Sequence, residues 1–237
     1  MDARVALVTG AGGPLGRATA LSLAGAGFTV VAIDRNEQAL RELANSSDEA
    51  LRELADGIRL EMGDTTDPAV ARSLVDRIAA EMGAPDVLVN TIGAFRLGEA
   101  LTTTPADLRA MIDVNLGAAL WLSQAVGSHM RRRGSGAIVH VSARPGIEPT
   151  AGMAAYSISK AALAHLTRLL DIELRPHGIR VNAVVPQLLD TPRNRAAFAA
   201  GQMVHAVQPG AIADIIAFLV SDIAAPISGA LLPAYGA

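Results

Sequence analysis

The 237 residues are enough for one well-buried domain, and a net charge of −3 leaves no footprint for nucleic acid. The chain is 51% hydrophobic but only 3% aromatic, so Ala, Val, Leu and Ile must build the core, as in a parallel sheet covered on both faces. The absence of cysteine excludes disulfides, a thiolate nucleophile and a thiolate-bound metal, and fits a reducing compartment.

Met1 to Arg4 leads directly into Val5–Val8 and then glycine, an apolar run too short for a signal peptide. No stretch has the length of a membrane span, so a cytoplasmic location and no membrane partner are expected. Val5 to Thr9 reads as a buried strand, Gly10-Ala11-Gly12-Gly13-Pro14-Leu15-Gly16 as a turn, and Arg17 to Gly25 as a helix. Backbone N–H groups and the helix dipole then converge on one point, which is an anion cradle. Leu15 stands where the last glycine of G-x-G-x-x-G would fall, so this loop needs support from residues further along the chain.

Phe28 to Ile33 is a second aliphatic run and ends at Asp34. An acid there is placed to accept hydrogen bonds from an adenosine ribose diol and would repel a 2′-phosphate, which favours NAD over NADP. Arg35, directly after it, pulls the other way. Ala39-Leu40-Arg41-Glu42-Leu43-Ala44 recurs eleven residues later as Ala50 to Ala55, consistent with one or two amphipathic surface helices. Asn45 to Asp48 could break them, with Ser46 and Glu49 as a capping box.

Ile58 to Met62 is a third strand, followed by Gly63, Asp64, Thr65 and a helix from Pro68 to about Glu81. Val87 to Asn90 is the fourth strand, and a long helix from Leu108 to Ser128 carries Asn115 within an apolar run, where it needs a partner. Arg131-Arg132-Arg133 before Gly134 suits a helix C-terminus. Ala137 to Val141 and Arg180 to Val185 are the fifth and sixth strands, Ile212 to Val220 a helix, and Ala230 to Leu232 a last strand. Strands alternating with helices predict a single doubly wound parallel sheet, Rossmann-like, over residues 1–237, with ligands at the strand C-terminal ends.

Between the fifth and sixth strands, Tyr156 and Lys160 stand four residues apart at the start of a helix that runs to about Leu174. That spacing puts the phenol beside an ammonium, which would favour the phenolate and allow proton transfer near neutrality. His129, His165, His177 and His205 lack metal-ligand spacing, so no metal is expected.

Over almost its full length the sequence resembles the short-chain dehydrogenase/reductase family. The resemblance rests on Thr9-Gly10…Gly16, Asp34, Asp64, Asn90…Gly93, Asn115, Tyr156-x-x-x-Lys160, Pro186…Thr191 and Ser228-Gly229-Ala230-Leu231-Leu232, in this order. It implies an NAD(P)(H)-dependent oxidoreductase that moves a hydride between nicotinamide and a carbonyl or alcohol. Tyr156 would be the general acid/base, Lys160 would hold the nicotinamide ribose and lower the phenol's pKa, and Asn115 would support a proton relay. Implied cofactor contacts are Gly10, Gly13, Leu15, Gly16, Asp34, Asp64, Thr65, Asn90, Gly93, Tyr156, Lys160, Pro186, Leu189 and Thr191. The family's habit implies a homodimer or homotetramer, formed through its two long central helices.

Four positions depart from the family pattern. The family's catalytic serine falls thirteen residues before the tyrosine, where this chain has Ala143. Ser142 is a candidate replacement if a turn at Arg144-Pro145-Gly146 re-aims it. Pro14 replaces a loop glycine, Thr91-Ile92 replace Asn-Ala, and Gln187 replaces the glycine after Pro186 and could be a substitute donor. Pro14, Ala143 and Gln187 leave open a redox-impaired family member that acts as a cofactor- or ligand-binding partner, or non-redox chemistry with the same Tyr156. The Leu188 to Gln208 segment is fairly apolar, which suggests an apolar or amphipathic substrate.

Overall fold

A computed structural model describes residues 4–44 and 49–236. Its sheet has seven parallel strands: β1 (Val5–Thr9), β2 (Thr29–Asp34), β3 (Arg59–Met62), β4 (Val87–Asn90), β5 (Gly136–Val141), β6 (Ile179–Pro186) and β7 (Leu231–Ala234). Their order is β3-β2-β1-β4-β5-β6-β7, with every pairing parallel. The order reverses between β1 and β4, so their C-terminal ends open a crevice where no crossover covers the sheet edge. This is the doubly wound sheet that the strand–helix alternation predicts.

Alternation along the strands fills two cores. Ala6 and Val8 face a layer containing α1 (Pro14–Gly25) and α9 (Pro209–Val220). Val5 and Leu7 face α4 (Pro68–Met82), α6 (Ala118–Arg133) and α7 (Ala154–Leu174). The paired repeat becomes α2 (Glu37–Ala44) and α3 (Glu49–Asp56); Ser46 of the expected capping box lies outside the described residues. Pro14 takes the first position of α1, where its missing N–H costs nothing. Beyond β6 the chain forms the short α8 (Pro192–Ala197), whose first turn is capped by the Thr191 hydroxyl.

The long central helix is not uniform. It begins as α5 (Pro105–Ile112), capped reciprocally by Thr104 and Asp107, and continues through a π-helical turn, Asp113–Gly117, into α6. The sequence reading started this helix three residues late and missed the π turn, because hydrophobic period alone does not register one inserted residue. Gly134 ends α6 in the left-handed conformation at φ 79°, and Arg133 donates to the carbonyls of Ala84 and Pro85. The C-terminal Ser228-Gly229 pair has a structural role, because Ser228 donates to the buried Asp171 of α7, which also holds Arg175. No helix among the described residues is long and apolar enough to cross a membrane.

Candidate active site

The crevice at the β1 and β4 ends is two adjoining cavities that share Gly10, Gly13, Thr91, Gly93 and Ala94. One, of about 240 Å³, is walled by Asp34, Arg35, Asp64 and Thr65. The other, of about 460 Å³, is walled by Leu15, Gly16, Ala143, Tyr156, Lys160 and Gln187. Thus every contact that the resemblance implies reaches one of the two cavities except Asn90 and Asn115.

Asn90 is set back because β4 is central: it sits in register with Thr9, 1% exposed, and its Oδ1 accepts from the Thr9 hydroxyl at 2.8 Å. Thr91 takes its place on the wall, donating to Thr9 O at 2.7 Å. Asn115 finds the partners its apolar setting demands. Its Nδ2 donates to Ala94 O at 3.0 Å and to Ser159 Oγ at 2.9 Å, and its Oδ1 accepts from Ala94 N at 2.9 Å. Asn115 therefore ties the loop after β4 to α7. A Cβ on Gly93 would lie 3.0 Å from Asn115 Oδ1 and 3.1 Å from Lys160 Nζ, so any side chain there would crowd both polar heads.

In the smaller cavity the Asp34 carboxylate is fixed at both oxygens. Oδ2 accepts from Gly12 N at 3.0 Å and Oδ1 from Asn36 N at 2.9 Å. Asp64 accepts from the Thr66 hydroxyl and amide, and chiefly that hydroxyl bond holds its carboxyl below the usual range. Arg35 is ion-paired with Asp64 at 3.5 Å but well exposed, so the pair contributes little energy.

Lys160 is 4% exposed and donates from Nζ to Val141 O at 2.8 Å, which anchors it on the end of β5. Burial lowers its pKa to about 8. Tyr156 packs edge-on against Phe95, with centroids 5.0 Å apart, and Phe95 in turn faces Phe198. Burial pushes the phenol up to about 12, with no counteracting cause. In the protein alone, then, desolvation sets the direction of the shift, and the lowering expected from Lys160 does not outweigh it.

Ser142 lines the larger cavity, but its hydroxyl is engaged: it donates to Lys160 O at 3.0 Å, on the backbone of α7. The 3-10 turn Arg144–Gly146 does form after β5, following Ala143 in extended conformation. Sequence reasoning also missed Gly146: a Cβ there would lie 2.6 Å from the Lys160 carbonyl carbon, so α7 packs directly on this turn. The only signal in the sequence was a Pro-Gly pair near a strand end.

His140 was likewise unmarked in the sequence. It is fully buried on β5, where Ser123 Oγ lies 3.1 Å from Nε2 and Thr167 Oγ1 lies 3.0 Å from Nδ1. Thr167 donates to Leu163 O, so it accepts from Nδ1–H, which leaves Nε2 facing the Ser123 hydroxyl. Burial, then the Lys160 charge, lowers its pKa to about 4. An unfolded histidine titrates near ~6.5. As pH falls from there the unfolded state takes a proton that the folded state refuses, so stability is lost progressively toward pH 4, by ~3 kcal/mol in all. Urea unfolding of wild type and His140→Gln should show the wild-type advantage at pH 7 shrinking at pH 4.5; an equal gap at both pH values would refute this assignment.

A family model described as short chain dehydrogenase matches residues 4–201. The chain belongs to the short-chain dehydrogenase family. A cis-4-hydroxycyclohexanecarboxylate dehydrogenase of Sinomonas cyclohexanicum is 38% identical over 246 residues, which cover 98% of this chain and 95% of the relative. A galactitol 2-dehydrogenase of Rhizobium johnstonii is 34% identical over 245 residues, 98% and 93% of the two chains. The structure of an NAD+-bound xylitol dehydrogenase matches with a TM-score of 0.90 at 27% identity, over 100% of this chain and 99% of that one. These relatives are named dehydrogenases and support an oxidoreductase, and a purely ligand-binding role finds no support among them.

Proposed function

We propose that the protein is an NAD(H)-dependent dehydrogenase/reductase acting on a secondary alcohol or its ketone, with Tyr156 as general acid/base. The observation that carries this reading is the junction of the two cavities. The glycine loop and fixed Asp34 line one side, and Tyr156 and a buried Lys160 open on the other.

The cleft fits a dinucleotide. Thr65 Oγ1 is buried beside Asp64 with no partner among the described residues, a donor and acceptor suited to an adenine or ribose. The Asp34 carboxylate is aimed by two backbone N–H groups and would accept from a ribose diol. Gly10, Gly13, Leu15 and Gly16 would hold the pyrophosphate at the start of α1, Lys160 the second ribose, and Pro186, Leu189 and Thr191 the nicotinamide side.

When bound, the nicotinamide supplies or accepts the hydride. In reduction, Tyr156 gives its proton to the carbonyl oxygen as the carbon–oxygen π bond breaks and a carbon–hydrogen bond forms. In oxidation it takes that proton back. Lys160, protonated below about pH 8, puts a positive charge near the developing phenolate and stabilises it. Phe95, Phe198 and Leu189 exclude water and offer apolar contact to the body of the substrate. Homo-oligomerisation through the central helices belongs to the same proposal.

Fluorescence titration with NADH and NADPH, followed by NAD+ turnover with xylitol, galactitol and cis-4-hydroxycyclohexanecarboxylate, tests the reading. Tight NADH binding with turnover of at least one alcohol supports it; binding of neither dinucleotide would end it. The cofactor preference has its own test. Asp34→Ala removes the charge that would face a 2′-phosphate, so the ratio of NADPH to NADH affinity should rise about tenfold, equivalent to ~1.4 kcal/mol. An unchanged ratio would remove Asp34 as the selecting group.

A further inference from the structure

Ala143 puts a methyl group, not a hydroxyl, on the cavity wall beside Tyr156, and Ser142 is occupied with the Lys160 carbonyl. A carbonyl oxygen held only by Tyr156 would lack a second donor. We propose that Gln187 is a catalytic residue of this dehydrogenase: its side-chain amide donates to the substrate oxygen in place of the hydroxyl missing at position 143. This inference rests on the oxidoreductase reading above.

Three observations carry it. Gln187 follows the last residue of β6, and β6 lies against β5, whose continuation is Ser142-Ala143, so both residues leave adjacent strand ends into one cavity. Its amide is oriented: Arg144 Nη1 lies 2.8 Å from Gln187 Oε1. A guanidinium can only donate, so the amide oxygen must face Arg144 and the NH2 must face away. That NH2 makes no hydrogen bond to any described residue, which leaves two N–H donors for a ligand.

Arg144 is a positioning residue and is itself held on two further sides. Its Nε donates to Glu148 at 2.7 Å, and its guanidinium lies 4.8 Å from the centroid of the Tyr235 ring. Such bracing fixes a long, otherwise mobile amide at little entropic cost when substrate binds.

The test uses wild type, Gln187→Ala, Gln187→Glu, Arg144→Met, Ala143→Ser and Gln187→Ala/Ala143→Ser, with NAD+ and the most active of xylitol, galactitol and cis-4-hydroxycyclohexanecarboxylate. Gln187→Ala and Gln187→Glu should lower kcat by about 10²-fold, with KM and NADH affinity within twofold of wild type. The Gln187→Glu variant keeps the side-chain length and its acceptor toward Arg144 but replaces the N–H donor by a charge, so an equal loss in the uncharged Gln187→Ala assigns the effect to the missing donor. Arg144→Met should lower kcat in the same direction at unchanged NADH affinity. Adding Ala143→Ser should recover at least tenfold of the kcat lost in Gln187→Ala, because it restores a hydroxyl on the same wall. The inference is overturned if Gln187→Ala or Gln187→Glu keeps wild-type kcat. It is also overturned if the loss lies in NADH affinity or if Ala143→Ser restores nothing. If wild type turns over none of the three alcohols while Ala143→Ser alone does, Gln187 fails as donor and the family chemistry stands. If neither turns over, the oxidoreductase reading fails, and this inference falls with it.

Discussion

Replacing Tyr156 by Phe is expected to lower kcat/KM about 10²- to 10⁴-fold while leaving the fold and NADH affinity almost untouched. The hydroxyl has no hydrogen-bonding partner among the described residues, and burial is the only cause of its raised pKa. Removing it therefore leaves no buried donor or acceptor unsatisfied, and the ring keeps its edge contact with Phe95. A phenol pushed up to about 12 is fully protonated at neutral pH. It can act as an acid in ketone reduction at once, but as a base in alcohol oxidation only through the small phenolate fraction. Oxidation by wild type should thus rise with pH from ~6 and level off as Lys160 loses its proton near pH 8, whereas reduction should stay flat up to that pH. Steady-state kinetics in both directions, with thermal unfolding of both proteins, check this. Retention of more than a tenth of the activity in Tyr156→Phe would remove Tyr156 from the chemistry.

Gly16→Ala is expected to be the most damaging change in the cofactor loop. A methyl group there would overlap the Gly10 carbonyl oxygen and lie 2.6 Å from its carbon and 2.7 Å from Ala11 Cα. These are backbone atoms of the loop itself, so no side-chain rotation relieves the clash. The loop must move away from α1 or the helix must retreat from the sheet. Overpacking of this kind costs ~1–3 kcal/mol. The displaced N–H groups can no longer converge on a pyrophosphate, so NADH affinity should fall at least about tenfold. Isothermal titration with NADH and a urea melt of Gly16→Ala separate the two effects. Wild-type affinity and stability together would show that the loop is slack.

The pattern of strands and helices was legible because it is local. Val5–Thr9, Val87–Asn90 and the other aliphatic runs are short and unbroken, as strands buried on both faces must be. Glycines and prolines marked their ends. The chain order of Asp34, Tyr156, Lys160 and Pro186…Thr191 was enough to suggest the family, and the strand-end rule was enough to gather those residues at one crevice. Which way each side chain turns there was not legible. Ser142 and Ala143 are adjacent in sequence, yet only the packing of α7 on the turn at Gly146 decides that the Ser142 hydroxyl meets the Lys160 carbonyl. The pKa of Tyr156 was read from its spacing to Lys160. Burial raises it instead, and the groups around the pair, Phe95 against the ring and Val141 O against Lys160 Nζ, come from residues distant in the chain. The Arg144–Gln187 brace joins residues 43 positions apart and has no local signature at all. The sequence by itself determined the sheet, the glycine loop and the Tyr156–Lys160 spacing, since these follow from period, punctuation and residue type. Only the tertiary structure decided which polar groups reach the crevice and what they bond to there, since that depends on contacts between segments that no periodicity records.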